Sequence, residues 1–162
     1  MPILELRVNG QEHTIRVDAT ATLLDVLRSK LLITSPKIGC NTGDCGTCSV
    51  LLDGKVVRSC LTLALTCQGK EVTTVEGLAP SGKLHPLQEA FHDHYGSQCG
   101  FCTPGMILTA KAFLDENPNP DREEVREAIT GNLCRCTGYV KIIDAVMAAA
   151  EDMGVKEPDN RG

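Results

Sequence analysis

Eight of the nine cysteines fall into two tight sets, Cys40, Cys45, Cys48 and Cys60, then Cys99, Cys102, Cys134 and Cys136. A fold that uses these thiols must gather each set in one place. The first set reads C-x4-C-x2-C with a fourth cysteine after eleven intervening residues, the plant-type spacing for a 2Fe-2S centre held by four thiolates. The second reads C-x2-C, then 31 residues, then C-x-C. Spacing alone leaves that second set open between an iron-sulfur cluster and a structural zinc ion, because two cysteine pairs can build either. The first set favours an electron conductor.

Composition permits this reading. At 162 residues the chain can form two small domains, which bury too little surface to be stable without help. Clusters bound only by the folded state supply that help. With 3% aromatics and no Trp, the cores must be built from Leu, Val, Ile and Ala. The start of the chain carries Glu5 and Arg7 and no apolar run of signal-peptide type, and no stretch approaches the length of a membrane span. A reducing cytoplasm that keeps thiols free for iron is the expected setting. The formal net charge is -5, and all of the acidic excess lies beyond residue 77, which argues against nucleic acid as a partner. An oxidised four-thiolate 2Fe-2S unit adds about two further negative charges.

The pattern along the chain predicts an α+β protein. Ile3, Leu4, Leu6 and Val8 lead into Asn9-Gly10, a tight hairpin turn, and Ile15 and Val17 continue the return strand. Thr22 suits the N-cap of a short helix carrying Leu23, Leu24, Val26 and Leu27. A second hairpin turns at Asp53-Gly54, pairing 48–52 with 55–59 and bringing Cys60 opposite Thr47, beside Cys48. Val72, Thr74 and Val75 supply a further strand, giving a ubiquitin-like grasp arrangement over residues 1–77. Residues 78–83 read as a linker. Residues 84–153 read as a four-helix bundle, with apolar positions Leu84, Leu87, Phe91 and Tyr95, then Met106, Ile107, Ala110, Phe113 and Leu114, then Val125, Ala128 and Ile129, then Val140, Ile143, Met147 and Ala150. Pro104 and Pro120 fit first helical turns. Residues 154–162 read as a flexible tail.

Gly39, Gly43 and Gly46 alternate with the first three cysteines, as a loop needs if it is to turn sharply and aim backbone N–H groups at sulfur. Cys99 and Cys102 precede one helix, and Cys134 and Cys136 precede another, so two helix N-termini would face one anionic cluster. Cys67, among Leu63, Ala64, Leu65 and Thr66, reads as a buried apolar thiol. His13, His85, His92 and His94 have no cysteine partners nearby and read as surface or helix-flank residues. Arg135 lies between two ligand candidates and reads equally as a charge partner or as a solvated side chain. Asp121, Glu123, Glu124 and Glu127 read as an exposed face that favours a helix N-terminus. No nucleophile elbow, phosphate loop or dinucleotide fingerprint is present.

Three strings carry a family resemblance: Gly39-Cys40 to Cys48, Gln98-Cys99-Gly100-Phe101-Cys102-Thr103-Pro104-Gly105-Met106, and Gly131-Asn132-Leu133-Cys134-Arg135-Cys136-Thr137-Gly138-Tyr139. Over about residues 3–150 the chain resembles the small iron-sulfur subunit of the xanthine oxidase family of molybdenum hydroxylases. The resemblance implies a plant-ferredoxin-like N-terminal domain and a four-helix C-terminal domain, each with one 2Fe-2S cluster. It also implies that Gln98 and Cys136 approach the pterin ring of a partner. A large molybdopterin subunit and a medium FAD subunit would complete the enzyme, as a dimer of heterotrimers. Substrate chemistry would then lie on those partners, and this chain would contribute no catalytic residue. Electrons would pass from molybdenum through the pterin to the C-terminal cluster, the N-terminal cluster and flavin, with the direction reversed in a reductase. A free-standing two-cluster ferredoxin and a structural zinc module are the competing readings.

Overall fold

The computed structural model describes residues 1–154 of the chain. Strand β1 (Ile3–Val8) alternates strictly, with Leu4, Leu6 and Val8 inward and the residues between them exposed. It pairs antiparallel with β2 (Gln11–Arg16) from Ile3 opposite Arg16 to Val8 opposite Gln11. Asn9 and Gly10 turn the chain with φ of 51° and 79°, the two positive angles that a type I′ turn requires. Val17 lies just past the strand but stays buried, its amide held by the Pro2 carbonyl at 3.1 Å.

Thr22 caps α1 (Leu23–Asp25) through a reciprocal capping box with Asp25. The helix then widens into a π-helical turn, Val26–Lys30. Leu23, Leu24, Val26 and Leu27 are all buried. Strands β3 (Ser49–Leu52) and β4 (Lys55–Arg58) pair from Ser49 opposite Arg58 to Leu52 opposite Lys55, the register anticipated from the Asp53-Gly54 turn. A 3-10 turn, Ala64–Cys67, precedes β5 (Glu71–Thr73). The expected continuation of that strand through Thr74 and Val75 is not found, because Val75–Leu78 coils into another 3-10 turn. Five strands form one sheet in the order β2-β1-β5-β3-β4, with β5 parallel to β1 and antiparallel to β3. Its inward residues pack with α1 around Leu4, Leu23, Leu27, Val50 and Val72.

Four further helices follow: α2 (Pro86–Asp93), α3 (Thr103–Glu116), α4 (Arg122–Ala128) and α5 (Val140–Gly154). Their shared core holds Leu87, Phe91, Met106, Leu114, Val125, Ile142 and Val146. Three of the anticipated core positions face outward instead. Leu84 precedes α2, Tyr95 follows it with a positive φ of 56°, and Val140 sits at the first position of α5. Periodicity overran the helix ends, where the chain had already turned away. Pro104 does occupy the first turn of α3. Pro120 does not start α4; it precedes the N-cap Asp121. Gly154, the first residue of the anticipated tail, belongs to α5; the rest of that segment, 155–162, lies outside the described residues. No helix of the described residues is long and apolar enough to cross a membrane.

Candidate metal centres

The first cysteine set sits on a loop closed at its base by the Lys37 amide, which donates to the Thr47 carbonyl at 3.0 Å. Asn41, Gly43 and Gly46 all take positive φ, which curls the segment back on itself. The curl points two amides at one sulfur. The Thr42 and Cys45 N–H groups each reach Cys40 Sγ at 3.4 Å, and the Thr47 hydroxyl lies 3.3 Å from Cys45 Sγ. Gly39 is required by space, because a Cβ there would stand 2.7 Å from Cys45 Sγ. At Gly43 a side chain would collide with Leu61, and at Gly46 with the Gly131 carbonyl oxygen.

Cys48 and Cys60 form the buried floor of this site with Leu24. The β3-β4 register delivers Cys60 here, as Ser59 donates to the Cys48 carbonyl through its hydroxyl at 2.6 Å. The environments of the four thiols differ. The Thr42 hydroxyl, shared with Asp44 at 2.6 Å, and then the Cys45 and Thr42 amides hold Cys40 down at about 6. Burial, then the neighbouring Cys48 sulfur, pushes Cys60 up to about 11.

The second set comes from two loops. Cys99 and Cys102 flank Gly100, whose φ of 80° bends the chain so that Cys102 becomes the N-cap of α3. Cys134 and Cys136 lie on the loop before α5. Thr137 donates to Cys134 Sγ from its hydroxyl at 3.1 Å and its amide at 3.4 Å. The Tyr139 hydroxyl accepts the Cys134 amide at 2.9 Å, and Tyr139 itself is held at a φ of 70°, an unusual angle for a bulky side chain. Burial, then the Cys134 sulfur beside it, pushes Cys102 up to about 12. Burial also acts on Cys134, but the Thr137 donors outweigh it and leave that thiol below its ordinary value. Cys136 is raised by its hydrogen bond with Cys99. The fold thus brings Cys102 to Cys134 and Cys99 to Cys136, across a large gap in sequence.

Gln98, Cys99 and Cys136 are exposed, in contrast to Cys102. Arg135 is exposed as well. Cys67 is fully buried in the sheet core, away from both sets. Among the histidines, His85 is the N-cap of α2. Among the described residues no three His, Cys, Asp or Glu side chains close around a single-ion point. The donors present are thiols backed by N–H and hydroxyl groups aimed at sulfur, the surroundings that suit an anionic iron-sulfur cluster. Sequence reasoning assigned no role to Arg58, nor to Asn132, Thr137 and Tyr139 beyond their place in the family string, and these residues shape the loops without being ligand candidates. Only their contacts reveal them.

Two four-cysteine loop systems, one on a ferredoxin-like sheet and one on a set of helices, define a two-cluster iron-sulfur protein. The comparisons agree. The 2Fe-2S iron-sulfur cluster binding domain family matches residues 6–77, and the [2Fe-2S] binding domain family matches residues 74–147. The chain is 50% identical over 153 residues to the nicotine 6-hydroxylase small subunit of Paenarthrobacter nicotinovorans, covering 94% of this chain and 92% of that protein. It is 50% identical over 157 residues to the aldehyde oxidoreductase of Megalodesulfovibrio gigas, covering 95% of this chain but 17% of that much longer protein. The crystal structure of quinoline 2-oxidoreductase from Pseudomonas putida 86 contains a chain that superposes with a TM-score of 0.91 at 47% identity, covering 96% of this chain and 98% of that one. The chain belongs to the small iron-sulfur subunits of the molybdenum hydroxylases. It is an electron-transfer subunit of an oxidoreductase and binds two 2Fe-2S clusters.

Proposed function

We propose that Cys40, Cys45, Cys48 and Cys60 hold one cluster and that Cys99, Cys102, Cys134 and Cys136 hold the other. The observation that carries this is the convergence of Cys102 with Cys134 and of Cys99 with Cys136, which neither loop could achieve alone. When bound, the clusters supply one-electron acceptance and release. The chain's own residues do the rest. Leu24 shields the Cys48 and Cys60 sulfurs from water, the Cys45 and Thr42 amides and Thr137 neutralise thiolate charge, and Gly39, Gly43 and Gly46 let the backbone lie close around the first site.

The exposure of Gln98 and Cys136 supports a further assignment: these residues meet the pterin of a large molybdopterin subunit. The partner set is that subunit together with a medium FAD subunit, assembled as a dimer of heterotrimers in the cytoplasm. Residues 1–77 and 84–153 act as separate cluster-carrying domains joined by 78–83, the second as a four-helix bundle. Native mass spectrometry of the isolated complex tests the partners, and recovery of this chain alone would favour a free-standing ferredoxin.

The ligand assignment predicts about four irons and four acid-labile sulfides per chain, two of each per cluster. Reduced samples should give two distinct 2Fe-2S signals by electron paramagnetic resonance, and Cys102→Ser should remove one and spare the other. Zinc without sulfide would reject the assignment.

A further inference from the structure

The two ligand loops touch. The Leu133 amide donates to the Cys45 carbonyl at 2.8 Å, so one hydrogen bond links a cysteine of the first set to the residue preceding Cys134. The sheet and helix cores are separate clusters, and the contact between the loops is made by polar groups. Arg58 Nε reaches the Gly43 carbonyl at 3.3 Å, Nη1 the Ser49 hydroxyl at 2.7 Å and Nη2 the Gly131 carbonyl at 2.6 Å. Those acceptors lie on the first ligand loop, on β3 and on the second ligand loop. Asn132, 1% exposed, donates to the Gly46 carbonyl at 3.0 Å and accepts from the Thr109 hydroxyl at 2.9 Å. Backbone also meets backbone closely here, since a Cβ on Gly105 of α3 would stand 2.6 Å from the Gly46 carbonyl oxygen.

We propose that Arg58 is a positioning residue for electron passage between the two cluster sites: with Asn132, it fixes the Cys45–Leu133 hydrogen bond that bridges the ligand loops. This rests on the ligand assignment above. Among the described residues no carboxylate lies within ion-pair distance of the guanidinium. Its donors are committed to main-chain carbonyls and one hydroxyl. The three acceptors are met by three different nitrogens of the planar fork, whereas a lysine ammonium carries its three donors on one nitrogen at the end of a flexible stem and lacks that spread. Arg58 therefore acts by geometry more than by charge.

The test uses the assembled complex carrying wild-type chain, Arg58→Gln or Arg58→Lys, with iron and sulfide measured first. Both variants should keep both signals in electron paramagnetic resonance. The magnetic interaction expected between the two reduced centres of wild type should be reduced in both. Hydrogen exchange at the Leu133 amide should speed up about tenfold to a hundredfold, the opening expected when charged hydrogen bonds are lost. Restoration of the interaction and of protection by Arg58→Lys would show that charge matters and would overturn the proposal, as would fully loaded Arg58→Gln with wild-type values, or wild type without any interaction. If Arg58→Gln fails to load, Thr109→Val, which removes the hydroxyl that holds Asn132 Oδ1 without touching Arg58, should show losses in the same direction, and wild-type values there overturn the proposal. A wild-type chain lacking two clusters is a separate failure, that of the ligand assignment, and the iron measurement identifies it.

Discussion

At the scale of residues, the two sites are built from cysteines whose chemistry has been separated by their neighbours. In the loop geometry described, hydrogen bonds hold Cys40 down at about 6, whereas burial pushes Cys60 and Cys102 up to about 11 and about 12, so a cluster-free chain that keeps this loop carries its thiolate at Cys40. Because the thiolate is the nucleophile, iodoacetamide at pH 7 should label Cys40 well before Cys60 or Cys102. That preference should fall away as pH drops through about 6, where a lowered acid constant returns the group to its thiol form; peptide mass spectrometry reads both. Gly46→Ala meets two obstacles at once, a positive φ of 75° and the Gly131 carbonyl in the space of its Cβ. It should destabilise the chain by more than about 1 kcal/mol and separate the two loops, seen as a lower melting temperature and faster exchange at Leu133. The cysteines and glycines were legible in the sequence because their spacing is local. Arg58 and Asn132 were not, since their partners lie far along the chain.

At the scale of elements, caps and turns carried most of the readable information. Asn9-Gly10 and Asp53-Gly54 each fixed a hairpin, and the second fixed the position of Cys60 through a register that follows from the turn alone. The acidic run at the start of α4 proved more specific than an exposed charged face. Asp121 accepts the Glu123 and Glu124 amides at 2.8 and 2.9 Å, while Glu124 reaches back to the Asp121 amide. Asp121→Ala should therefore cost about 1 kcal/mol, measurable by chemical denaturation, and Glu127→Ala, outside that box, should cost far less. Where the reading failed, at Leu84, Tyr95, Val75 and Val140, apolar periodicity continued past a point where the backbone had already changed direction. Hydrophobic pattern reports burial only while the element lasts; at and beyond the helix ends Leu84, Tyr95 and Val140 are exposed.

At the scale of the molecule, two modest cores are joined by polar contacts, by the loops that carry the cysteines and by Val75 and Leu78, which pack on the helix core. In the proposed ligation each cluster ties segments that are distant in sequence, so its removal should loosen the loops before it loosens the cores. After chelation and reoxidation under conditions that strip iron, hydrogen exchange should rise sharply over 37–48 and 97–103, and the Ile3–Arg16 hairpin should stay protected. Uniform exposure across the chain would show instead that the clusters hold the whole fold together. Spacing along the chain was enough to show which atoms could bind metal, how many centres to expect and which local turns present the first three cysteines. That Cys102 meets Cys134, that Cys99 meets Cys136 and that Cys45 touches Leu133 came from the fold. These contacts close across 31 or more residues, and their geometry is set by helix packing and buried polar pairing, which no short stretch of chain encodes.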